Sequence, residues 1–382
     1  MKKKLAVVIV FIIILVFPMV TWPIASQFDL PTLDENREKA KFPQFGNDVF
    51  AQFDKYFADR APYRDVLIKL YNGSTLTFRK AYERLIRLFN IRYYTSINDT
   101  LIGKDNWLFY TAYNSLDYYA GSNIPSQLQL RAFVDRAEKV NDYFKSQGKE
   151  FVIFIAPNKE QIYSEYMPER ILVETEMKRM DVIVKYFKEH SSVKVIYPKD
   201  ELIAAKESRD TYLMQDTHWN DFGAYLGAKS IFDALQIASG AVEITDTLYS
   251  GGDLALLAAM NYLTYTAYDV NYRPDVTLSY LWATADCHEY TIESTNKNGR
   301  NLFVLGDSFG LGDNARAGMR GIIAKEFERS VINHRDTFGK SRNYLEEFAA
   351  ADTVIFQAAE KFETSIFNAH GLLQQFIDLY NL

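Results

Sequence analysis

Four short runs, "EFVIFIAP" (150–157), "VKVIYP" (193–198), "NLFVLGDS" (301–308) and "DTVIFQAA" (352–359), are built mostly from β-branched, aromatic and other apolar residues. A strand that is apolar on both sides has to be covered on both sides, which calls for a parallel sheet between two helix layers. Helical spacing occupies the intervals, at Gln127 to Gln147, Met177 to His190 and "DFGAYLGAKSIFDAL" from Asp221. We therefore expect an α/β three-layer domain with a parallel central sheet over residues 95–382. "LIGKDNWLFY" (101–110) reads as a turn and a short strand near its start. No repeat of solenoid period interrupts the pattern.

The chain ahead of that domain has a different character. Lys2, Lys3 and Lys4 precede an apolar run from Leu5 to about Val20, with Trp22 at its far edge. Continuing to Ile24 supplies the roughly 20 apolar residues needed to cross a bilayer. Ala25 has Pro23 two positions upstream where a cleavable signal peptide carries a small residue, so residues 1–24 are expected to be a retained signal-anchor. With the lysines cytoplasmic, everything beyond faces outward. Residues 25–48 read as a juxtamembrane linker. Residues 49–94 read as a helical region broken near Ala61 and Pro62.

Charge and cysteine use narrow the chemistry. A formal charge of -6 without a basic stripe makes nucleic acid a poor partner. Cys287 is the sole cysteine, which excludes an intrachain disulfide and a CxxC metal site. No HExxH or comparable cluster of metal ligands occurs, and no glycine fingerprint for a nucleotide. No cofactor is therefore expected.

Reactive groups in such a sheet collect at the carboxyl ends of the strands. "VLGDSFG" puts Ser308 there, with Gly306 for a tight turn, Asp307 as a cap and Gly310 keeping the approach open. Ser308 is either a nucleophile or part of an ordinary strand-to-helix turn. A nucleophilic serine needs a base, and "QDTHWN" (215–220) offers His218 with Asp216 two residues before it. Residues i and i+2 of a turned backbone can face one way, so Asp216 would orient the imidazole toward Ser308. The plainer reading makes Asp216 and Thr217 turn formers, Asn220 or Asp221 a helix cap and Trp219 a core aromatic. The other histidines compete less well. His190 ends a helix, His288 adjoins Cys287 without clear order, His370 belongs to a terminal helical pattern, and His334 follows the strand-like "RSVIN".

"DTHWNDFGAYLGA" and "VLGDSFG", with "NWLFY" and "APNKEQIYSEYMP" upstream, resemble the AlgJ/AlgX-like (DHHW-type) proteins of polysaccharide O-acetylation, whose catalytic domain is SGNH-hydrolase-like. "DENREKAKFPQF" and "YFADRAPYRDVL" fit the same family's N-terminal region. The Asp/His pair precedes the serine here, as in that family's permuted order. The resemblance implies Ser308 as nucleophile, His218 as general base and Asp216 as orienting acid. It offers Lys159 and Tyr163 as groups shaping a substrate site, with a structural role as the open alternative. Trp219 is a further candidate substrate contact, and Arg335 or a backbone N–H after "VLGDS" stands in for the Gly and Asn oxyanion donors of standard SGNH enzymes, which have no identified counterpart in this sequence. Where the family often has Glu-Arg, this chain has Glu360 and Lys361, and lysine lacks the planar fork of arginine.

The expected function is a membrane-anchored, extracytoplasmic O-acetyltransferase that passes acetyl from Ser308 to hydroxyls of an exported polysaccharide. The resemblance implies a membrane acyltransferase of the MBOAT class as donor partner. A carbohydrate acetyl esterase using the same three residues is the first alternative. A non-catalytic glycan-binding scaffold using Trp107, Tyr110 and Trp219 is the second.

Overall fold

The computed structural model describes residues 99–382, apart from 170, 172, 259–263, 284–288, 313–317 and 340–342, together with positions 41, 42, 52, 56, 96 and 97. The expected anchor and His288, and all of the expected linker and helical region but positions 41, 42, 52 and 56, thus lie outside the described residues. Among the described residues no helix is long and apolar enough to cross a membrane. The chain divides into two compact units, one of Met1–Thr100 with Gly251–Leu263, the other of Leu101–Ser250 with Thr264–Leu382. The first includes a short helix at Asp253–Leu257. The second carries the sheet.

The seven strands of that sheet are β1 (Glu150–Ala156), β2 (Lys194–Ile196), β3 (Leu278–Ala283), β4 (Glu289–Ser294), β5 (Asn301–Gly306), β6 (Arg329–His334) and β7 (Thr353–Ala359). Their spatial order is β2-β1-β7-β5-β6-β4-β3. The block from β2 to β6 is parallel, as expected. β4 and β3 then add antiparallel strands, so the sheet is mixed and the expectation of a parallel one is corrected at this edge. The physical reason is visible in the burial. β7 is buried at every position and β1 at all but Glu150, whereas β4 alternates buried and half-buried, as a strand covered on one face does.

Alternation along the central strands feeds two cores. Val152, Phe154, Leu302, Val304 and Ile355 face one side, and Phe151, Ile153, Phe303, Leu305, Val354 and Phe356 the other. Helix α3 (Asp221–Ala234) covers the first face through Ala224, Ala228, Ile231 and Phe232. Helices α1 (Gln127–Ser146), α2 (Arg179–His190) and α5 (Leu372–Tyr380) cover the second. The three-layer expectation holds. α1 starts at a capping box, with the Ser126 N–H donating to Gln129 Oε1 at 2.9 Å and the Gln129 N–H to Ser126 Oγ at 3.3 Å. A separate two-stranded hairpin, Val242–Ser250 with Thr264–Tyr272, was not foreseen.

Candidate active site

Ser308 opens the short helix α4 (Ser308–Leu311) directly beyond the carboxyl end of β5. The turn there is clamped by Asp307. Its carboxylate accepts from the N–H of Phe309 at 3.1 Å, from Gln357 Nε2 at 2.9 Å and from the N–H of Ala359 at 2.7 Å. In return the Asp307 N–H donates to Gln357 Oε1 at 2.7 Å. Arg335 Nη1 stands 2.8 Å from Asp307 Oδ2 as a buried ion pair, too far off line to count as a hydrogen bond. Burial alone would raise the Asp307 carboxyl, but the Arg335 charge and the three donors hold it below the usual carboxylate range. Gly310 is needed because an added Cβ would meet Gln357 Oε1 at 2.5 Å.

Asp216 and His218 come from a tight loop closed by a bridge between Tyr212 and Trp219. The Leu213 N–H donates to His218 O at 3.1 Å and the Asn220 N–H to Thr211 O at 3.0 Å. Asn220 caps α3 by accepting from the Gly223 N–H at 2.9 Å, which settles the cap in favour of Asn220 over Asp221. Asp216 Oδ1 accepts from the His218 backbone N–H at 3.0 Å and lies 2.7 Å from His218 Nδ1. On the other side of the ring, Nε2 lies 2.7 Å from Ser308 Oγ. A carboxylate only accepts, so Nδ1 carries the proton and Nε2 is left to accept from the Ser308 hydroxyl. Turn forming and orienting are thus the same act by Asp216.

The remaining expected site residues divide between support and packing. Lys159 is buried, with Nζ donating to Asp216 O at 2.6 Å and Leu213 O at 3.0 Å, so it ties the loop from below. Tyr163 OH accepts the Thr211 N–H at 2.7 Å at the loop's root, and its ring stacks on Trp107 with centroids 4.1 Å apart. Trp219 is 3 % exposed and packs on Phe154 and Phe309, a core position. Trp107, 2 % exposed, is also core. Arg335 is 6 % exposed and spends its charge on Asp307. His334 caps a short turn, accepting from the Asp336 N–H at 3.2 Å.

A water-sized void is lined by Phe309 and Thr217, the sequence neighbours of Ser308 and His218, and by Tyr110, Asn158, Lys159 and Lys361. Lys361 Nζ sits 4.5 Å from the ring centre of Tyr110 and 5.4 Å from that of Phe309. Sequence reasoning missed Asn158, Glu160 and Gln357. Asn158 binds the end of β1 to the end of β7, its N–H donating to Glu360 Oε2 at 2.8 Å and its Oδ1 accepting the Lys361 N–H at 3.2 Å. Burial pushes Glu160 up to about 7. Burial, with the Glu160 charge adding, pushes Glu360 up to about 8. Glu160 stood inside the quoted "APNKEQIYSEYMP", but a glutamate on a helical pattern reads as solvated until burial is known.

A three-layer α/β sheet with a serine, an imidazole and a carboxylate in hydrogen-bonded series beyond its central strand has the architecture of SGNH-hydrolase-like acyl-group chemistry. Residues 100–357 match the family model of the SGNH hydrolase-like domain of the acetyltransferase AlgX, and the chain belongs to that family. Solved structures with similar folds include a DHHW family protein from Eubacterium siraeum, at 17% identity and a TM-score of 0.51 over 73% of this chain and 96% of that one. Bacillus cereus PatB1 with a sulfonyl adduct aligns at 16% identity and a TM-score of 0.49, covering 69% of this chain and 96% of its own. The O-acetyltransferase domain of Pseudomonas putida AlgJ aligns at 14% and 0.45, covering 69% and 91%. No curated protein matches this chain.

Proposed function

We propose that this chain is an extracytoplasmic O-acetyltransferase that carries acetyl on Ser308 and delivers it to hydroxyls of an exported polysaccharide. The observation that carries the proposal is the series Ser308 Oγ, His218 Nε2, His218 Nδ1, Asp216 Oδ1, with 2.7 Å at each of its two side-chain links. Membership of an acetyltransferase family supports acetyl as the group moved.

In the first half-reaction His218 takes the Ser308 proton as Oγ attacks the donor's acetyl carbon, and the imidazolium is stabilised by Asp216. The Ser308 backbone N–H faces the developing oxyanion. The donor's leaving group departs with the proton held by His218, which leaves an acetyl ester on Ser308. In the second half, His218 takes a proton from a sugar hydroxyl, the new C–O bond forms, and the Ser308 Oγ–carbon bond breaks with Oγ reprotonated. Hydrolysis differs only in that water replaces the sugar.

Lys2 to Lys4 and the apolar run after them support an anchor that holds the domain outside the membrane. Because acetyl-CoA is cytosolic, an MBOAT-class membrane acyltransferase is the donor partner this reading requires. Ser308→Ala is expected to abolish both release of acetate from 4-nitrophenyl acetate and acetylation of the polymer, with an unchanged melting temperature. Undiminished polymer acetylation in that variant would remove the mechanism.

A further inference from the structure

Ser308 rides on a helix too short to hold itself. α4 is a single turn, Ser308–Leu311, and one turn makes few of the hydrogen bonds that keep a helix formed. Its first end is fixed by Asp307, whose carboxylate accepts from the Phe309 N–H at 3.1 Å. At its last end the Gly312 N–H closes on Ser308 O at 2.9 Å. The final carbonyls of a helix have no intrahelical donor, so the Leu311 carbonyl needs one from elsewhere.

Arg320 supplies it, with Nη1 donating to Leu311 O. This arginine belongs to the helix Gly318–Ile323, which buries Met319, Ile322 and Ile323 in the same core as Phe309 and Leu311. The two helices meet backbone to backbone, since a Cβ on Gly318 would stand 3.0 Å from Gly312 Cα. On its other side the guanidinium is backed by the sheet: its central carbon lies 3.7 Å from the ring centre of Tyr290 on β4. A continuous line of contacts thus runs from the sheet through Arg320 to the helix that opens with Ser308.

The charge itself is otherwise unspent. Arg320 is 7% exposed, and among the described residues no carboxylate pairs with it. Taking a guanidinium out of water is costly, and a core that needed only its volume would be filled as well by an apolar side chain. What an arginine adds is shape. Its planar fork lies flat on an aromatic face while donating in its own plane, two contacts at a right angle that an ammonium cannot make together.

We propose that Arg320 is a positioning residue for Ser308: by holding the Leu311 carbonyl from the face of Tyr290 it fixes α4, and with it the Ser308 hydroxyl 2.7 Å from His218 Nε2. The proposal rests on the reading of Ser308 as the acyl-carrying nucleophile and adds what sets its place. Arg320 acts through α4 and not on the reacting atoms.

The test compares full-length wild type, Arg320→Met, Arg320→Lys and Ser308→Ala in two assays. One is the hydrolysis of 4-nitrophenyl acetate, resolved into kcat and KM. The other is sulfonylation by phenylmethylsulfonyl fluoride, followed by intact mass as both a rate and a final extent. Arg320→Met is expected to lower kcat and the sulfonylation rate by roughly tenfold to a hundredfold, the loss a small misplacement of a reacting group brings, with KM within about twofold and sulfonylation still complete. Arg320→Lys, able to donate to Leu311 O but not to lie flat on Tyr290, is expected to fall between methionine and wild type. An unchanged kcat and rate in Arg320→Met overturns the proposal. So does sulfonylation that runs at the wild-type rate and stops short of completion, because that marks a share of unfolded molecules and not a displaced hydroxyl. A lysine no faster than methionine overturns it as well, by taking the hold on Leu311 O out of the account. Failure of the nucleophile reading looks different, since Ser308→Ala would then hydrolyse the ester and take up the sulfonyl group as wild type does.

Discussion

Replacing Asp307 with Asn would keep a side chain able to cap Phe309 while taking from the buried Arg335 guanidinium its nearer and buried counter-charge, leaving only the exposed Asp336 carboxylate at 3.7 Å. Breaking a buried pair on one side costs about 3–5 kcal/mol, far more than a surface bridge contributes. Asp307→Asn is therefore expected to lower the urea midpoint by the equivalent of about 3–5 kcal/mol, and an unshifted midpoint would show that the pair does not hold the turn. The folded pKa of Asp307 is lowered, so its contribution is present above its unfolded value of 3.8 and is lost as pH falls through the folded one. The capping role of Asp307 was legible in "VLGDS", because Asp in a strand-to-helix turn has few other tasks. Its ties to Arg335 and to Gln357, 50 residues further on, were not, since sequence reports spacing and not which distant side chains converge. Asp216 and His218 were legible for the opposite reason: their contact is local.

Helix α3 shows how an element positions the site. Gly227 faces Trp219, and a Cβ there would meet two ring carbons of Trp219 at 2.8 and 3.0 Å and Phe154 at 3.2 Å. In an exposed helix interior Gly→Ala stabilises by up to about 1 kcal/mol. Here overpacking of about 1–3 kcal/mol opposes it, and the backbone beside His218 has to move. Gly227→Ala is expected to lower both the melting temperature and the rate of ester hydrolysis; a gain in stability would mean the helix shifts freely. The elements legible in advance were those with a single strong pattern. β1, β5 and β7 are continuous apolar runs, and α1 and α2 keep their apolar stripe over 20 and 12 residues. β3, exposed along most of its length, and the Val242–Ser250 hairpin strand, with no fully buried position, carry no such signal. An edge strand is defined by the neighbour it pairs with, which periodicity does not name.

At the scale of the domain, chain order and spatial order diverge: β1 and β2 lie toward one edge, and β5, formed much later, sits in the middle. Ser308 and His218, 90 residues apart, meet only once that sheet is assembled, so conditions that loosen the domain separate the imidazole from the hydroxyl. The buried glutamates make pH one such condition. Glu160 and Glu360 are pushed up to about 7 and 8 from an ordinary value of 4.5. Between those values the folded chain binds more protons than the unfolded one, so stability falls as pH rises. Their contribution is complete below 4.5 and is lost through 7 and 8. Melting temperature is thus expected to decline from pH 5 to pH 8 and to level off above it, in contrast to the acid-side loss that Asp307 imposes. The double variant Glu160→Gln, Glu360→Gln keeps the neutral shape at every pH and is expected to flatten that decline. An undiminished slope in the double variant would assign the effect to groups other than these two carboxyls.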